Sequence, residues 1–256
     1  MRGKMTSVAW WHLQRPAAAM VLLAFLVPFP FPGPAHADPF AEADAAYKAG
    51  DFTTAVRISR ALAEEGDAKA QYALGLFYQQ GKGVQQDYAE AARWYRKAAE
   101  QGDSKAQRNL GFLCEKGLGV APDYGEAASW YRKAADQGDD VALYNLGGMY
   151  FGGRGVPSDP AGAANLYRDA AEQGNALAPL NLGVMYVNGE GVPRDYVQAY
   201  MWFIVALARL PESETEKRSQ AANGRDAVAY SMAPEQIAEA QRLAREWKPR
   251  KDRPGE

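Results

Sequence analysis

Histidine and cysteine are almost absent from this chain. Its 256 residues include two histidines, His12 and His36, and one cysteine, Cys114. Both histidines fall in an amino-terminal segment with the features of a removable leader. Without that segment the chain has no histidine, which excludes Ser-His-Asp triads and most zinc sites. With one cysteine, no intrachain disulfide can form even in an oxidising compartment.

An excess of charge of one sign is also lacking. The chain carries 29 Lys and Arg against 31 Asp and Glu, a formal net charge of −2. Nucleic-acid binders usually concentrate basic charge, so this balance argues against that class of protein. Runs of Val, Ile and Thr are few and alanine-rich stretches are common, which indicates helices rather than strands.

The amino-terminal residues have the pattern of a secretory signal. A basic start precedes an apolar stretch at residues 17–31, and Ala35-His36-Ala37 supplies the small residues that a signal peptidase needs. Prolines break the apolar stretch, which is short for a transmembrane helix, so a membrane anchor is the less favoured alternative. We predict Sec export to the periplasm or the exterior, with cleavage after Ala37 and no stable membrane span afterwards.

The chain does have a clear internal period. Gly75, Gly111, Gly147 and Gly183 follow one another at intervals of 36 residues. A fixed period of this length is typical of stacked helical repeats. Because glycine inside a helix costs about 1 kcal/mol relative to alanine, four glycines at one register indicate close packing. We expect that contact at small residues of the paired helix: Ala91, Ala127, Ala163 and Ala199.

An aspartate recurs before the second helical segment of each unit, at Asp87, Asp123, Asp159 and Asp195. Aspartate is a preferred N-cap residue, because its carboxylate accepts hydrogen bonds from the free amides of the first turn. A calcium site is the less favoured alternative, since capping accounts for all four positions. The sequence therefore predicts no metal and no cofactor.

These features combine into one phrase that recurs over residues 67–209. It is Ala-x-x-x-Leu-Gly-x-x-Tyr-x-x-Gly-x-Gly-Val-x-x-Asp, followed by Ala-x-x-Trp-Tyr-x-x-Ala-Ala. The phrase resembles the Sel-1-like repeat family, a relative of the tetratricopeptide repeats. The resemblance implies an all-α fold, a right-handed α-solenoid of antiparallel helix pairs. Cys114 stands where other units have tyrosine, and we interpret it as a small core residue rather than a reactive thiol.

The period divides the chain into segments. We predict a signal peptide at 1–37, a degenerate helix pair at 38–66, four repeats, C-terminal capping helices at 211–247 and a flexible tail at 248–256. The repeats span 67–102, 103–138, 139–174 and 175–210. Within the capping segment we expect an interruption of the helix near Asn223-Gly224, because glycine disfavours a helix interior.

The resemblance also implies where binding would occur. Tetratricopeptide-like stacks line a concave groove with the first helix of each unit, and here the groove positions vary while the core positions repeat. The residues that we select as the protein-binding surface are Tyr72, Arg108, Asn109, Phe112, Tyr144, Asn145, Phe151 and Asn181. Asparagine amides can hold the backbone of an extended peptide. Alternatively, these amides bond to an adjacent helix and hold the stack, and the two phenylalanines pack between repeats.

The combined prediction is an exported, non-catalytic protein-interaction scaffold with a protein or peptide partner in the cell envelope. Two alternatives stay open. Some secreted, cysteine-rich relatives are linked to β-lactam binding or hydrolysis, which implies a cell-wall enzyme, although this chain lacks their paired cysteines. A structural spacer in an envelope complex would need no peptide recognition.

Overall fold

The computed structural model describes residues 39–250, so the predicted signal peptide at 1–37 lies outside the described residues. Within that range the chain forms twelve α-helices and no strand, which confirms the predicted all-α repeat fold. The helices are α1 (Pro39–Lys48), α2 (Phe52–Glu64), α3 (Ala68–Gln80), α4 (Tyr88–Glu100), α5 (Ser104–Lys116), α6 (Tyr124–Ala135), α7 (Asp140–Gly152), α8 (Pro160–Glu172), α9 (Ala178–Asn188), α10 (Tyr196–Arg209), α11 (Thr215–Ala229) and α12 (Pro234–Glu246).

Consecutive helices pack against each other along the described chain. The pairs α3–α4, α5–α6, α7–α8 and α9–α10 form four equivalent units. The pair α1–α2 packs on the first of them, and both α11 and α12 pack on α10. Each of the four units buries alanine and leucine together with at least one large ring, so the apolar core continues from one unit to the next.

The turn within each pair also joins neighbouring units. Gly119, in the Gly-x-Gly-Val phrase after α5, has a φ of +70°, a left-handed conformation that favours glycine. A Cβ atom at this position would lie 2.2 Å from the carbonyl carbon of Tyr88, at the start of α4 in the preceding unit. The phrase therefore recurs because the turn must approach the backbone of the previous pair.

The glycines that set the 36-residue period pack against aromatic rings. A Cβ atom built on Gly75 would lie 2.6 Å from ring atoms of Tyr95, and one built on Gly183 would lie 2.6 Å from the ring of Phe203. The expected contact with the alanines of the paired helix holds only at Gly111, where a Cβ atom would lie 3.3 Å from the Ala127 carbonyl oxygen, and even there the ring of Tyr131 is nearer, at 3.0 Å. The ring one turn further along, at Tyr95, Tyr131, Tyr167 and Phe203, fills the space that each glycine leaves.

Two expectations at the carboxyl-terminal end also need correction. Helix α11 runs without a break through Asn223-Gly224. Gly224 is tolerated there because its missing side chain leaves room for the ring of Phe203. A Cβ atom at Gly224 would lie 2.6 Å from Phe203 Cζ. In the segment assigned to a flexible tail, Pro249 is buried and the Arg250 guanidinium lies 2.9 Å from Glu172. The rest of that segment, residues 251–256, lies outside the described residues.

Candidate protein-binding surface

The solvent-facing side of α3, α5, α7 and α9, called here the first-helix face, carries large exposed apolar side chains. Phe112 is 37% exposed, Phe151 is 40% exposed and Val184 is 43% exposed. Phe112 and Val184 occupy the same register two units apart, and Phe151 lies near the end of the helix between them. An exposed cluster of apolar side chains on a folded chain is typical of an interaction surface.

A small pocket opens on this face between the third and fourth units. Its volume is about 150 Å³, and it is lined by Phe151, Tyr167, Asn181, Val184 and Met185. Burial raises the pKa of Tyr167 to about 12. Like any phenol it is protonated at neutral pH, so a hydroxyl and the Asn181 amide lie beside an apolar wall. Such a site can hold an apolar side chain and bond to the backbone that carries it.

A cluster of charged groups joins the ends of α5 and α7. The Glu115 side chain accepts hydrogen bonds from Lys116 Nζ at 3.0 Å and from Arg154 Nη1 at 3.2 Å, both at Oε1. Its other oxygen accepts one from the Tyr131 hydroxyl at 3.0 Å. Two cations share one carboxylate here, so the three side chains together carry net positive charge.

Three of the predicted binding residues make contacts within the stack. The half-buried ring of Tyr72 lies 5.9 Å from that of Tyr95 between centroids, and the ring of Tyr144 lies 5.6 Å from that of Tyr167. Arg108 forms an ion pair of 2.9 Å with Asp139, the N-cap of α7 in the next unit. The two ring contacts lie within single units, between α3 and α4 and between α7 and α8, whereas the ion pair links neighbouring units. Each of the three side chains stays partly exposed.

The three predicted asparagines lie half-buried beside the aromatic rings. Burial raises the pKa of Tyr95, while a hydrogen bond from Asn109 acts in the opposite direction. The same opposing effect comes from Asn145 at Tyr131 and from Asn181 at Tyr167. Each amide therefore lies beside a phenol of the preceding unit, as the alternative interpretation expects, and its remaining hydrogen-bonding groups are those available to a ligand.

Comparison with known proteins agrees with this architecture. The Sel1 repeat model matches residues 68–103, 104–139, 140–175 and 176–208, more than half of the chain. The chain belongs to the Sel1 repeat family. A Sel1 repeat protein from Oxalobacter formigenes has 30% sequence identity and a TM-score of 0.66, over 80% of this chain and 85% of that one.

A second solved Sel1-like structure is a protective antigen present in uropathogenic Escherichia coli strains, which displays an SLR fold. It has 30% identity and a TM-score of 0.52, over 81% of this chain and 52% of that one. No match is found among curated proteins. Sel1 repeats generally mediate protein–protein interaction, so the family supports an interaction scaffold as the general class.

The structure brings together two of the predicted residues, Phe151 and Asn181, and adds others to this Sel1 surface. Tyr167, Val184 and Met185 line the pocket with them. Arg154 lies near Tyr167, because a Cβ atom on Gly148 would be 3.9 Å from its Nη2 atom and 3.6 Å from the Tyr167 hydroxyl oxygen. A signal for this pocket exists in the repeat alignment. At the register of Leu76, Phe112 and Val184 the third unit has Gly148, and a Cβ there would lie 3.6 Å from the Tyr167 hydroxyl oxygen.

Two absences concern only the part of the Sel1 chain that the structure describes. Across residues 39–250, no three or more His, Cys, Asp or Glu side chains are grouped so that they could hold a metal ion. In the same range, no helix has both the length and the apolar character to cross a membrane.

Proposed function

We propose that this chain is an exported, non-catalytic scaffold whose first-helix face binds an extended segment of a protein in the cell envelope. The observation that carries the proposal is the contrast between two sides of the same helices. Core positions repeat from unit to unit, whereas the first-helix face presents different residues in each unit and exposes Phe112, Phe151 and Val184.

The chemistry of this face favours a partner with an apolar anchor side chain. The pocket at Phe151 and Val184 offers an apolar wall, and Asn181 offers an amide beside it. Hot spots of protein interfaces are typically such apolar anchors in pockets, surrounded by polar contacts of smaller energetic weight. The net positive charge of Lys116, Arg154 and Glu115 favours an acidic residue in the same bound segment.

Site-specific photocrosslinking in cells tests the binding surface. A benzophenone amino acid placed at Phe112 or at Val184 should join the chain to the same envelope protein. The matched control is the same amino acid at Ser129, an exposed position on α6, which lies outside the first-helix face. Equal crosslinking from all three positions, or none from the first two, would contradict the proposed surface.

Affinity measurements with the captured partner then test the pocket itself. Phe151→Ala should weaken binding by about tenfold or more, the loss expected for an interface anchor. Tyr230→Ala is a suitable control, because this ring is 96% exposed after the end of α11 and does not line the pocket. Unchanged affinity of the Phe151 variant would show that the pocket is not the anchor site.

The export part of the proposal is supported by the basic start, the apolar stretch and Ala35-His36-Ala37. Cell fractionation of the natural host should recover the chain in the periplasm or the medium, with Asp38 as its first residue. Ala37→Leu should block that cleavage. A cytoplasmic chain that retains its first 37 residues would contradict export.

A structural spacer is a second candidate, because Arg108 and the asparagines make contacts that hold the stack together. In that case, Asn145→Ala should lower the free energy of unfolding by about 1 kcal/mol, the net value of one hydrogen bond. It should leave the envelope complex intact as long as the chain stays folded. Loss of partner binding by a folded Asn145 variant would instead favour peptide recognition.

A further inference from the structure

The ring that packs on each period glycine is missing from one unit. Tyr95, Tyr131, Tyr167 and Phe203 occupy a single register at intervals of 36 residues, and the corresponding residue in α2 is Ser59. Ser59 is only 3% exposed, so this position is as enclosed as its equivalents. The first helix pair therefore has a core position where an aromatic ring is replaced by a hydroxymethyl group.

A second side chain at the same place is also shortened. The register of Asn109, Asn145 and Asn181 is Ala73 in α3, and Ala73 faces the same space as Ser59. The two small residues leave a cleft of about 180 Å³ between α1 and α3. Its other walls are mainly apolar, with Phe40, Ala43, Leu76 and Phe77 among them.

The size and lining of this cleft suit a single aromatic ring. An apolar cavity of about 150 Å³, lined by leucine, isoleucine and phenylalanine, is large enough to bind benzene. The wall at Phe77 already takes part in an edge-on contact, because the ring of Tyr47 lies 5.8 Å from it at an interplanar angle of 62°. A further ring would therefore meet aromatic and aliphatic surfaces of the kind that rings prefer.

The register also indicates which ring fits. In the first two repeats the ring hydroxyl bonds to Gln79 or to Glu115, and the equivalent residue in α1 is Ala43. In the third repeat that register is Phe151 and the ring is Tyr167, whose hydroxyl has Asn181 beside it, but the residue of α3 at the register of Asn181 is Ala73. In the fourth repeat, where Val187 occupies the register of Ala43, the ring is Phe203, which has no hydroxyl. A phenyl group matches Ala43 better than a phenol, because a buried hydroxyl without a partner is costly.

We propose that the cleft between α1 and α3 receives a phenylalanine side chain of the protein segment that binds along the first-helix face. This inference rests on the proposed function, because Leu76 of the cleft belongs to the register of Phe112 and Val184 on that face. The bound phenyl group takes the place that the chain's own rings take in the four units that follow.

Methyl-detected NMR with N-acetylphenylalanine amide as the probe tests the cleft directly. In the full chain labelled at alanine methyls, the amide should shift the signals of Ala43 and Ala73, through the ring current of the bound phenyl group. N-acetylleucine amide, which has no ring, should bind more weakly and give smaller shifts. Equal shifts with both amides, or none at these two methyls, would overturn the proposal.

Ser59→Phe is the decisive variant, since it places the chain's own ring in the cleft. Binding of the probe should fall by about tenfold or more, because one ring cannot be buried where another lies. Ser129→Phe, at an exposed position of α6, adds the same ring elsewhere and should leave binding unchanged. Ala73→Leu narrows the cleft from α3 and should also weaken binding if Ser59→Phe disturbs folding. Unaltered binding in the folded Ser59 and Ala73 variants would overturn the assignment.

The outcomes separate this inference from the proposed function. If the probe does not bind to the unsubstituted chain but the crosslinks from positions 112 and 184 form, only the cleft proposal is refuted. If the probe binds but those crosslinks do not form, the proposed function is refuted. The claim that the phenyl group comes from a partner protein is then refuted as well. If the probe shifts the Ala43 and Ala73 signals only in a chain that begins at Asp38, the preceding segment occupies the cleft in the longer chain. That result would overturn the proposal of a partner side chain.

Discussion

Gly147 of α7 and Tyr167 of α8 are in direct contact. A Cβ atom on Gly147 would lie 2.9 Å from Tyr167 Cε1, closer than real Cβ contacts allow. At the next position, Gly148, a Cβ atom would meet the Tyr167 hydroxyl oxygen at 3.6 Å, an ordinary van der Waals distance. Alanine substitutions at these two adjacent glycines therefore distinguish the effect of packing on stability from that of helix propensity.

Alanine should have opposite effects at these two positions. Gly148→Ala should raise the free energy of unfolding by up to about 1 kcal/mol, the difference in helix propensity between the two residues. Gly147→Ala should lower it by about 1–3 kcal/mol, because the buried ring of Tyr167 must move. Urea denaturation followed by circular dichroism measures both. Stabilisation by both substitutions would show that the glycine register does not serve ring packing.

The buried tyrosines make a prediction for alkaline pH. Burial raises the pKa of Tyr167 from 10.0 to about 12. Above pH 10 the unfolded chain loses this proton while the folded chain keeps it, so stability is complete below about pH 10 and falls as the pH rises towards 12. Between pH 10 and pH 12 the free energy of unfolding should decrease by about 2 kcal/mol less in Tyr167→Phe than in the unsubstituted chain, since one pKa unit corresponds to 1.36 kcal/mol.

Chemical denaturation at a series of pH values between about 8 and 12 checks this, because the slope of stability against pH reports the difference in bound protons. Tyr230→Phe changes the same side chain at a ring that is 96% exposed, and it should follow the unsubstituted chain. If the Tyr167 and Tyr230 variants had the same alkaline slope, Tyr167 could not be the buried group that couples folding to proton release.

The period predicted the fold well and the ring contacts less well. Equal spacing shows which residues are equivalent, but Ala91 and Tyr95 lie one turn apart on the same face of α4, and both are buried. The sequence therefore could not show which of them meets Gly75. That depends on the distance between the helix axes, which only the packed structure supplies.

The candidate site was predictable in position but not in detail. Phe151 and Asn181 were selected from their register, and both line the pocket on the first-helix face. The two cavities depend on departures from the repeat, at Gly148 and at Ser59. A sequence shows such departures as differences in residue type, but whether the neighbouring side chains close the space or leave it open is decided by packing.

The recurring aspartates give a prediction that also tests calcium binding. Asp195 accepts hydrogen bonds from the amides of Val197 at 2.9 Å and Gln198 at 3.0 Å, as an N-cap does. Asp195→Ala should therefore lower the free energy of unfolding by about 0.5–2 kcal/mol, and Asp195→Asn, which keeps the acceptor, by much less. Added calcium should leave the melting temperature unchanged. A calcium-dependent rise that Asp195→Ala abolishes would instead identify a metal site.

The single cysteine is predicted to be unreactive in the folded chain. Cys114 is fully buried in α5, and burial raises the pKa of its thiol to about 11. Because the thiolate is the nucleophile, its population at neutral pH is roughly a hundredfold below that of a cysteine with the ordinary pKa near 9. Alkylation by iodoacetamide should therefore proceed only as fast as the chain unfolds, and mass spectrometry can follow it.

A control variant with an exposed thiol shows whether unfolding, rather than the alkylation reaction itself, limits the labelling of Cys114. In the double variant Cys114→Ala and Ser129→Cys, the thiol lies at an exposed position of α6 and should be alkylated at once. In the natural chain, urea should accelerate the labelling of Cys114 in parallel with the loss of helical signal. Rapid labelling of Cys114 while the helical signal stays constant would mean that α5 opens locally. The core between the first and second repeats, in which Cys114 is buried, would then open without global unfolding.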